Sequence, residues 1–119
     1  EPERGRVLVV DDSKVARAAV AARLERLGVD VEGAAGCVDG AAVDLGGVDA
    51  AILDLELGDG TGVDLARTLL SADAGLPIAF LTSAPRSRLA IEARELGPVF
   101  EKGPEMSDAV AWAANRPRR

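Results

Sequence analysis

Three short runs, Val7-Leu8-Val9-Val10, Ala50-Ala51-Ile52-Leu53 and Pro77-Ile78-Ala79-Phe80-Leu81, constrain the fold more than any other feature of this chain. They are apolar at nearly every position. A strand with one wet face alternates apolar and polar residues, whereas a parallel strand covered on both faces does not. Each run is followed at once by polar residues: Asp11-Asp12-Ser13, then Asp54, then Thr82-Ser83.

Helical patterns fill the intervals. Ala16, Val20, Leu24 and Leu27 recur at spacings of 4, 4 and 3, the period of a helix with one apolar stripe. Ser13 suits its N-cap and Gly28 its stop. Val29 and Val31 alternate with Asp30 and Glu32, which predicts a second strand, and residues 38–45 form a weak helix interrupted by Gly40. A glycine-rich turn, Gly58 to Gly62, precedes a helix over about 62–72. Leu89, Ala93 and Leu96 mark a fourth helix, over about 86–96 and closed by Gly97-Pro98. Val99-Phe100 is a short fifth strand reaching Lys102, and Met106, Val110 and Ala113 mark the last helix. Five strand-then-helix units predict one α/β domain over 1–119: a doubly wound five-stranded parallel sheet with helices on both faces. Residues 1–5 and 115–119 read as tails, the latter for its arginines, and Trp112 as helix packing.

Ligands in open parallel sheets sit beyond the carboxyl ends of the strands. That rim gathers Asp11, Asp12, Asp54, Thr82 and Lys102 from four strands. Clustered carboxylates repel one another unless a cation neutralises them. The chain has no histidine and one cysteine, Cys37. This excludes a Ser-His-Asp triad, a histidine acid/base, an internal disulfide and a His- or Cys-based zinc site. The cation is therefore a hard, oxygen-seeking one, and Mg²⁺ fits because it accepts few protein ligands and keeps waters that a phosphate can replace. Metal, ammonium and hydroxyl around a carboxylate are the parts that phosphoryl transfer uses. The 14 Lys plus Arg against 20 Asp plus Glu give a net charge of −6. That sign argues against nucleic acid and anionic membrane surfaces as partners, and no apolar run approaches the ~18 residues of a spanning helix. The Gly58–Gly62 run lacks both phosphate-loop spacings and reads as a turn.

Four stretches together carry a resemblance: Val-Leu-Val-Val-Asp11-Asp12-Ser, Ala-Ile-Leu-Asp54-Leu-Glu-Leu-Gly-Asp-Gly-Thr-Gly, Phe-Leu-Thr82-Ser83 and Phe-Glu-Lys102. In order, spacing and strand context the chain resembles the receiver domain of bacterial two-component response regulators. The resemblance implies a flavodoxin-like sheet of strand order 2-1-3-4-5. It makes Asp54 the phosphoacceptor, and it gives Mg²⁺ to Asp12 directly, to Asp11 largely through water, and to Asp54 and the Glu56 backbone carbonyl. Thr82 would hydrogen-bond the phosphoryl group and Lys102 would pair with it. It further implies a sensor histidine kinase or histidine phosphotransfer protein as donor, a cytoplasmic location, and an arrangement compatible with a homodimer. The domain would promote its own phosphorylation and dephosphorylation without turning over an outside substrate. Two alternatives stand beside this reading: a receiver-like scaffold that binds partners without phosphorylation, and a small Mg²⁺-dependent aspartyl-phosphate phosphatase.

The chain departs from the family pattern at its end. Gly103 separates Lys102 from Pro104, and Val99 stands where the family often has an aromatic, with Phe100 one residue later. The segment from Gly97 to Lys102 is short. Glu56, two residues after Asp54, places a long acid where it can influence water attack on a phosphoryl group.

Overall fold

The computed structural model describes residues 4–119; residues 1–3 of the tail expected at 1–5 lie outside the described residues. Strands β1 (Arg6–Val10), β2 (Asp30–Ala34) and β3 (Ala50–Leu53) alternate with helices α1 (Lys14–Arg26) and α2 (Cys37–Ala41). A two-stranded hairpin, β4 (Glu56–Leu57) and β5 (Gly60–Thr61), precedes α3 (Gly62–Ala72). Then come β6 (Ile78–Thr82), α4 (Arg88–Ala93), β7 (Val99–Glu101) and α5 (Met106–Ala114). The sheet runs β2-β1-β3-β6-β7, all parallel. Setting the hairpin aside, this is the expected order 2-1-3-4-5.

The continuous apolar runs are explained by two cores, one on each face. Val7, Val9, Ala50, Ile52 and Leu81 face α1 and α5, meeting Val20, Leu24, Ala109, Val110 and Ala113. Their neighbours Leu8, Val10, Leu53 and Phe80 face the other way, toward Val63, Leu65, Ala66 and Leu69 of α3 and Ala90 and Ala93 of α4. Side chains alternate across a strand, so only an unbroken apolar run can fill both layers. Hydroxyls start three of the helices: Ser13, Thr61 and Ser87 accept the backbone N–H of Ala16, Asp64 and Ala90 at 3.2, 3.1 and 3.1 Å.

Three elements differ from their sequence reading. The helix expected over 38–45 stops at Ala41. Gly40 weakens it, and the Asp44 carboxylate then accepts the Gly46 N–H at 2.9 Å, closing a turn in place of a further helical one. The glycine-rich turn contains the β4–β5 hairpin, in which Glu56 faces Thr61 and Leu57 faces Gly60. The fourth helix is confined to six residues. Leu27 belongs to the apolar stripe of α1 by phase, yet it is 59% exposed at the C-cap.

Residues 115–119, read as a tail, fold back at their end. The Arg119 N–H donates to Asp49 at 2.7 Å, and its guanidinium reaches the Val48 carbonyl and the Asp73 carboxylate. Asp49 is buried and also accepts the Arg6 N–H at 3.0 Å, tying the start of β1 to the end of the chain.

Candidate functional site

The strand ends are fixed by the ladder. The Asp11 N–H donates to Ala34 at 3.1 Å, the Asp54 N–H to Val10 at 2.9 Å, and the Lys102 N–H to Thr82 at 2.8 Å. Three seams of the sheet, β2–β1, β1–β3 and β6–β7, thus set the positions of the two acids and the lysine before any side chain is placed. Asp11 and Asp54 are buried, whereas Asp12 is exposed. One oxygen from each of Asp11, Asp12 and Asp54 lies within 4.8 Å of the others. Lys102 Nζ bridges the two buried acids, 2.9 Å from Asp11 Oδ2 and 3.0 Å from Asp54 Oδ2. The second oxygen of Asp11, Oδ1, accepts the Ser13 N–H at 2.9 Å. Among the described residues Asp12 has no ion-pair partner.

Burial pushes the Asp54 carboxyl above the ordinary aspartate range. The Lys102 hydrogen bond and charge and the Glu56 backbone N–H pull it down and the Asp11 charge pushes it up, and burial prevails. For Lys102, burial works against the ammonium, but hydrogen bonds to Asp11 and Asp54 outweigh it and raise its pKa. The ammonium and the acids therefore hold one another in place.

Thr82 is buried, and its Oγ1 accepts the Ala84 N–H at 3.0 Å. With Asp12, Asp54, Glu56, Ser83 and Ala84 it lines a cavity of about 310 Å³. The structure thus brings together Asp11, Asp12, Asp54, Thr82 and Lys102, with Glu56 at the margin. A larger cavity, about 560 Å³, lies between the β2 edge and α2. Its two arginines are engaged, Arg6 with Glu32 and Arg17 with the Asp11 carbonyl, and it carries no cluster of reactive groups.

Two supporting residues escaped the sequence reading. An ideal Cβ on Gly62 would sit 2.1 Å from the Asp54 carbonyl oxygen, so the backbone behind Asp54 needs a glycine for space rather than for unusual dihedrals. Asp59, exposed on the hairpin, accepts the Cys37 and Val38 N–H groups at 2.7 and 3.0 Å. Those bonds, from Val38 and then Cys37, hold its carboxyl below the usual range. Both residues lie in the run that reads only as a turn, and no local signal separates them from ordinary turn residues. At the other end of the site the Lys102–Gly103 peptide is trans and Gly103 has φ +87°, a conformation in which a side chain is strained.

A flavodoxin-like sheet whose carboxyl-end rim holds three acids, a hydroxyl and a bridging lysine defines a phosphoacceptor-type signalling domain. The family model of the response regulator receiver domain matches residues 7–99, and the chain belongs to that family. Among solved structures it resembles the non-phosphorylated HemR receiver domain from Leptospira biflexa, at 25% identity over 98% of each chain and a TM-score of 0.83. It also resembles the response regulator TrrA from Thermotoga maritima in complex with Mg²⁺–BeF, at 22% identity over 91% of this chain and 97% of that one, with a TM-score of 0.78. A CheY-like receiver domain from Methanospirillum hungatei aligns at 20% identity over 92% and 90%, with a TM-score of 0.80. The less similar of these establish the fold alone. No curated protein matches the chain. No helix among the described residues is long and apolar enough to cross a membrane.

Proposed function

We propose that Asp54 accepts a phosphoryl group from a phosphohistidine on a sensor kinase or phosphotransfer protein, and that this chain acts as a Mg²⁺-dependent switch in a cytoplasmic pathway. The observation that carries the reading is the convergence of three carboxylates and one ammonium, the acid oxygens within 4.8 Å of one another. These 119 residues hold no histidine, so a phosphohistidine donor lies outside them.

The residues fit a hard divalent cation. The donor set is oxygen only, and the Asp12 carboxylate is exposed and without a cationic partner. Asp11, Asp12, Asp54 and the Glu56 backbone carbonyl would hold the ion. Bound there, Mg²⁺ supplies neutralisation of the negative charge shared by the carboxylates and the incoming phosphoryl oxygens. The Asp54 oxygen attacks phosphorus, the phosphorus–nitrogen bond to the donor imidazole breaks, and its electron pair leaves with that nitrogen. Burial makes the Asp54 carboxylate more basic than a solvated one, hence a better nucleophile when ionised. Lys102, already 3.0 Å from Asp54, exchanges one carboxylate contact for a phosphoryl oxygen. The Thr82 hydroxyl, on the same cavity wall, donates to another. Turnover of an outside substrate is not part of this reading.

The test is incubation with acetyl phosphate and Mg²⁺ followed by intact-mass analysis. One phosphoryl group is expected on the native chain and none on Asp54→Asn. Stoichiometric labelling of the Asn variant would overturn the assignment. An unlabelled native chain would favour the scaffold alternative.

A further inference from the structure

The apolar stripe of α1 is left open at its end. Leu27, in phase with the buried Val20 and Leu24, is 59% exposed and lines two adjoining cavities. The first, about 270 Å³, is a groove between α1 and α5 bounded by Arg23, Arg26, Leu27, Ser107, Val110 and Ala111. The second, about 110 Å³, continues from Leu27 toward Arg116 and Arg118. Arg23 donates across the groove to Ser107 Oγ at 3.1 Å. Arg116 stacks 5.0 Å over the Trp112 ring and donates to the Trp112 carbonyl at 2.9 Å. Among the described residues none of these four arginines makes an ion pair. The exposed acids nearest in sequence, Glu25 and Asp108, do not line the groove. A chain of net charge −6 thus gathers four guanidinium groups without an ion pair around one exposed leucine; the first cavity has no acid in its lining, and the second has only the buried Asp49.

We propose that this α1–α5 groove is a docking site for a short acidic segment of a partner protein, one that sets a bulky apolar side chain between carboxylates. The floor of Leu27, Val110 and Ala111 removes apolar surface from water on both partners. A space of about 270 Å³ admits one leucine- or phenylalanine-sized side chain. The guanidinium groups at its rim suit carboxylates, which they can bind in bidentate fashion. Nucleic acid would satisfy the arginines and leave the apolar floor uncovered, and the net charge of −6 opposes approach to an anionic bilayer. The groove is also separate from the acid pocket. Helix α1 has 13 residues, about 20 Å at 1.5 Å per residue, and it starts beside Asp11 and Asp12 and ends at Leu27. A segment seated there leaves the phosphoryl site open, so the proposal holds whatever Asp54 does.

The experiment is selection of random twelve-residue peptides displayed on phage against the immobilised chain, followed by affinity measurement with the synthetic winners. Enriched peptides should carry a bulky apolar residue flanked by Asp or Glu. Their affinity should fall at least about tenfold with Leu27→Ser, and likewise with Arg23→Glu plus Arg26→Glu. All three side chains lie at exposed positions, and circular dichroism melting checks that the variants stay folded. No enrichment, enrichment of neutral or basic sequences, or affinity retained in the variants would overturn the proposal. So would phosphatidylserine vesicles or duplex DNA bound more tightly than any peptide and released by the same substitutions.

Discussion

Lys102, half-buried at the rim, is the group most open to test, because two buried acids depend on it. Lys102→Met keeps most of the apolar stem and removes the ammonium. Asp11 and Asp54, at 5% and 9% side-chain exposure, then lose contacts of 2.9 and 3.0 Å to a cation. At the outer limit of 4.8 Å within which the acid oxygens lie, and with an effective dielectric constant of about 20, two unit charges repel by about 3 kcal/mol. Removing one partner of a buried pair costs about 3–5 kcal/mol in general. Lys102 keeps 24% of its side chain in solvent, so the lower end applies, about 3 kcal/mol. For a chain of 119 residues that corresponds to a fall in Tm of about 10 °C.

The loss should depend on pH in a defined direction. In the native chain the Lys102 pKa lies above its ordinary value of 10.5, so its contribution is complete below that value and is lost as pH rises through the folded-state pKa. The Asp54 pKa is also raised. A charged Asp54 therefore costs stability above its folded-state pKa, and that cost disappears as the group protonates. Removing Lys102 takes away the largest influence that lowers the Asp54 pKa and leaves burial and Asp11 raising it. The variant should regain stability at higher pH than the native chain does, and the gap between them should narrow as pH falls from neutrality toward the ordinary aspartate range. Urea unfolding followed by the single Trp112, half-buried on α5 against the core, measures both quantities. Equal stability at pH 7, or a gap that does not narrow on acidification, would refute the account of Lys102 as the neutralising cation.

Calorimetry should find weak, millimolar-class Mg²⁺ binding to the native chain and an affinity about tenfold lower or worse in Asp12→Ala; equal affinities would remove Asp12 from the metal site. Gly62→Ala should cost more than about 3 kcal/mol, because the new Cβ falls 2.1 Å from a backbone oxygen that cannot yield cheaply; a melting temperature within about 2 °C of native would contradict this. Structures with and without Mg²⁺–beryllofluoride should differ in the loop after Thr82 and in α4 while Phe100 keeps its rotamer; a large Phe100 rotation with that loop stationary would show an aromatic switch.

The sheet and the site were legible in the sequence for one physical reason: each signal was a covalent neighbour of the next. An apolar run buried on both faces ends where the sheet ends, so the residue that follows it must lie on the rim. That places Asp11, Asp54 and Thr82 without any knowledge of packing. Features decided by contacts distant in sequence were not legible. Leu27 has the phase of a buried residue, yet it stands 59% exposed at the C-cap of α1, and only the fold shows that. Asp59 and Cys37 are 22 residues apart, so the carboxylate that caps α2 looked like one more turn residue. Asp49 is a similar case: an acid before a strand, buried because Arg6 and Arg119 bring two distant N–H groups to it. The glycine run reads as punctuation, but it holds the β4–β5 hairpin, and the need for Gly62 comes from the Asp54 carbonyl behind it.

The end of the site decides where a local change can travel. Val99 packs into the core beneath α3 and α4, whereas Phe100 packs into the opposite core with α1 and α5. Strand alternation separates them, and β7 cannot turn one toward the other without losing its register, in which Leu81 faces Phe100 and Thr82 faces Glu101. The Thr82 carbonyl accepts the Lys102 N–H, and the Glu105 carboxylate accepts the Glu101 N–H at 2.8 Å, so the β6 and β7 ends form one braced rim. Helix α4 is held far less firmly. It spans six residues, fully buries two alanines, Ala90 and Ala93, packs Leu89 only partly against the core, and leaves Ile91 63% exposed. Two alanines bury little apolar area, and stability in a fold is lowest where buried area is least. A force applied at Thr82 therefore meets a stiff rim on the β7 side and a lightly anchored helix after Ser83. The small Val99 and the short α4 lead to the same expectation, that displacement of the loop after Thr82 and of α4, rather than rotation of Phe100, will separate the structures with and without beryllofluoride.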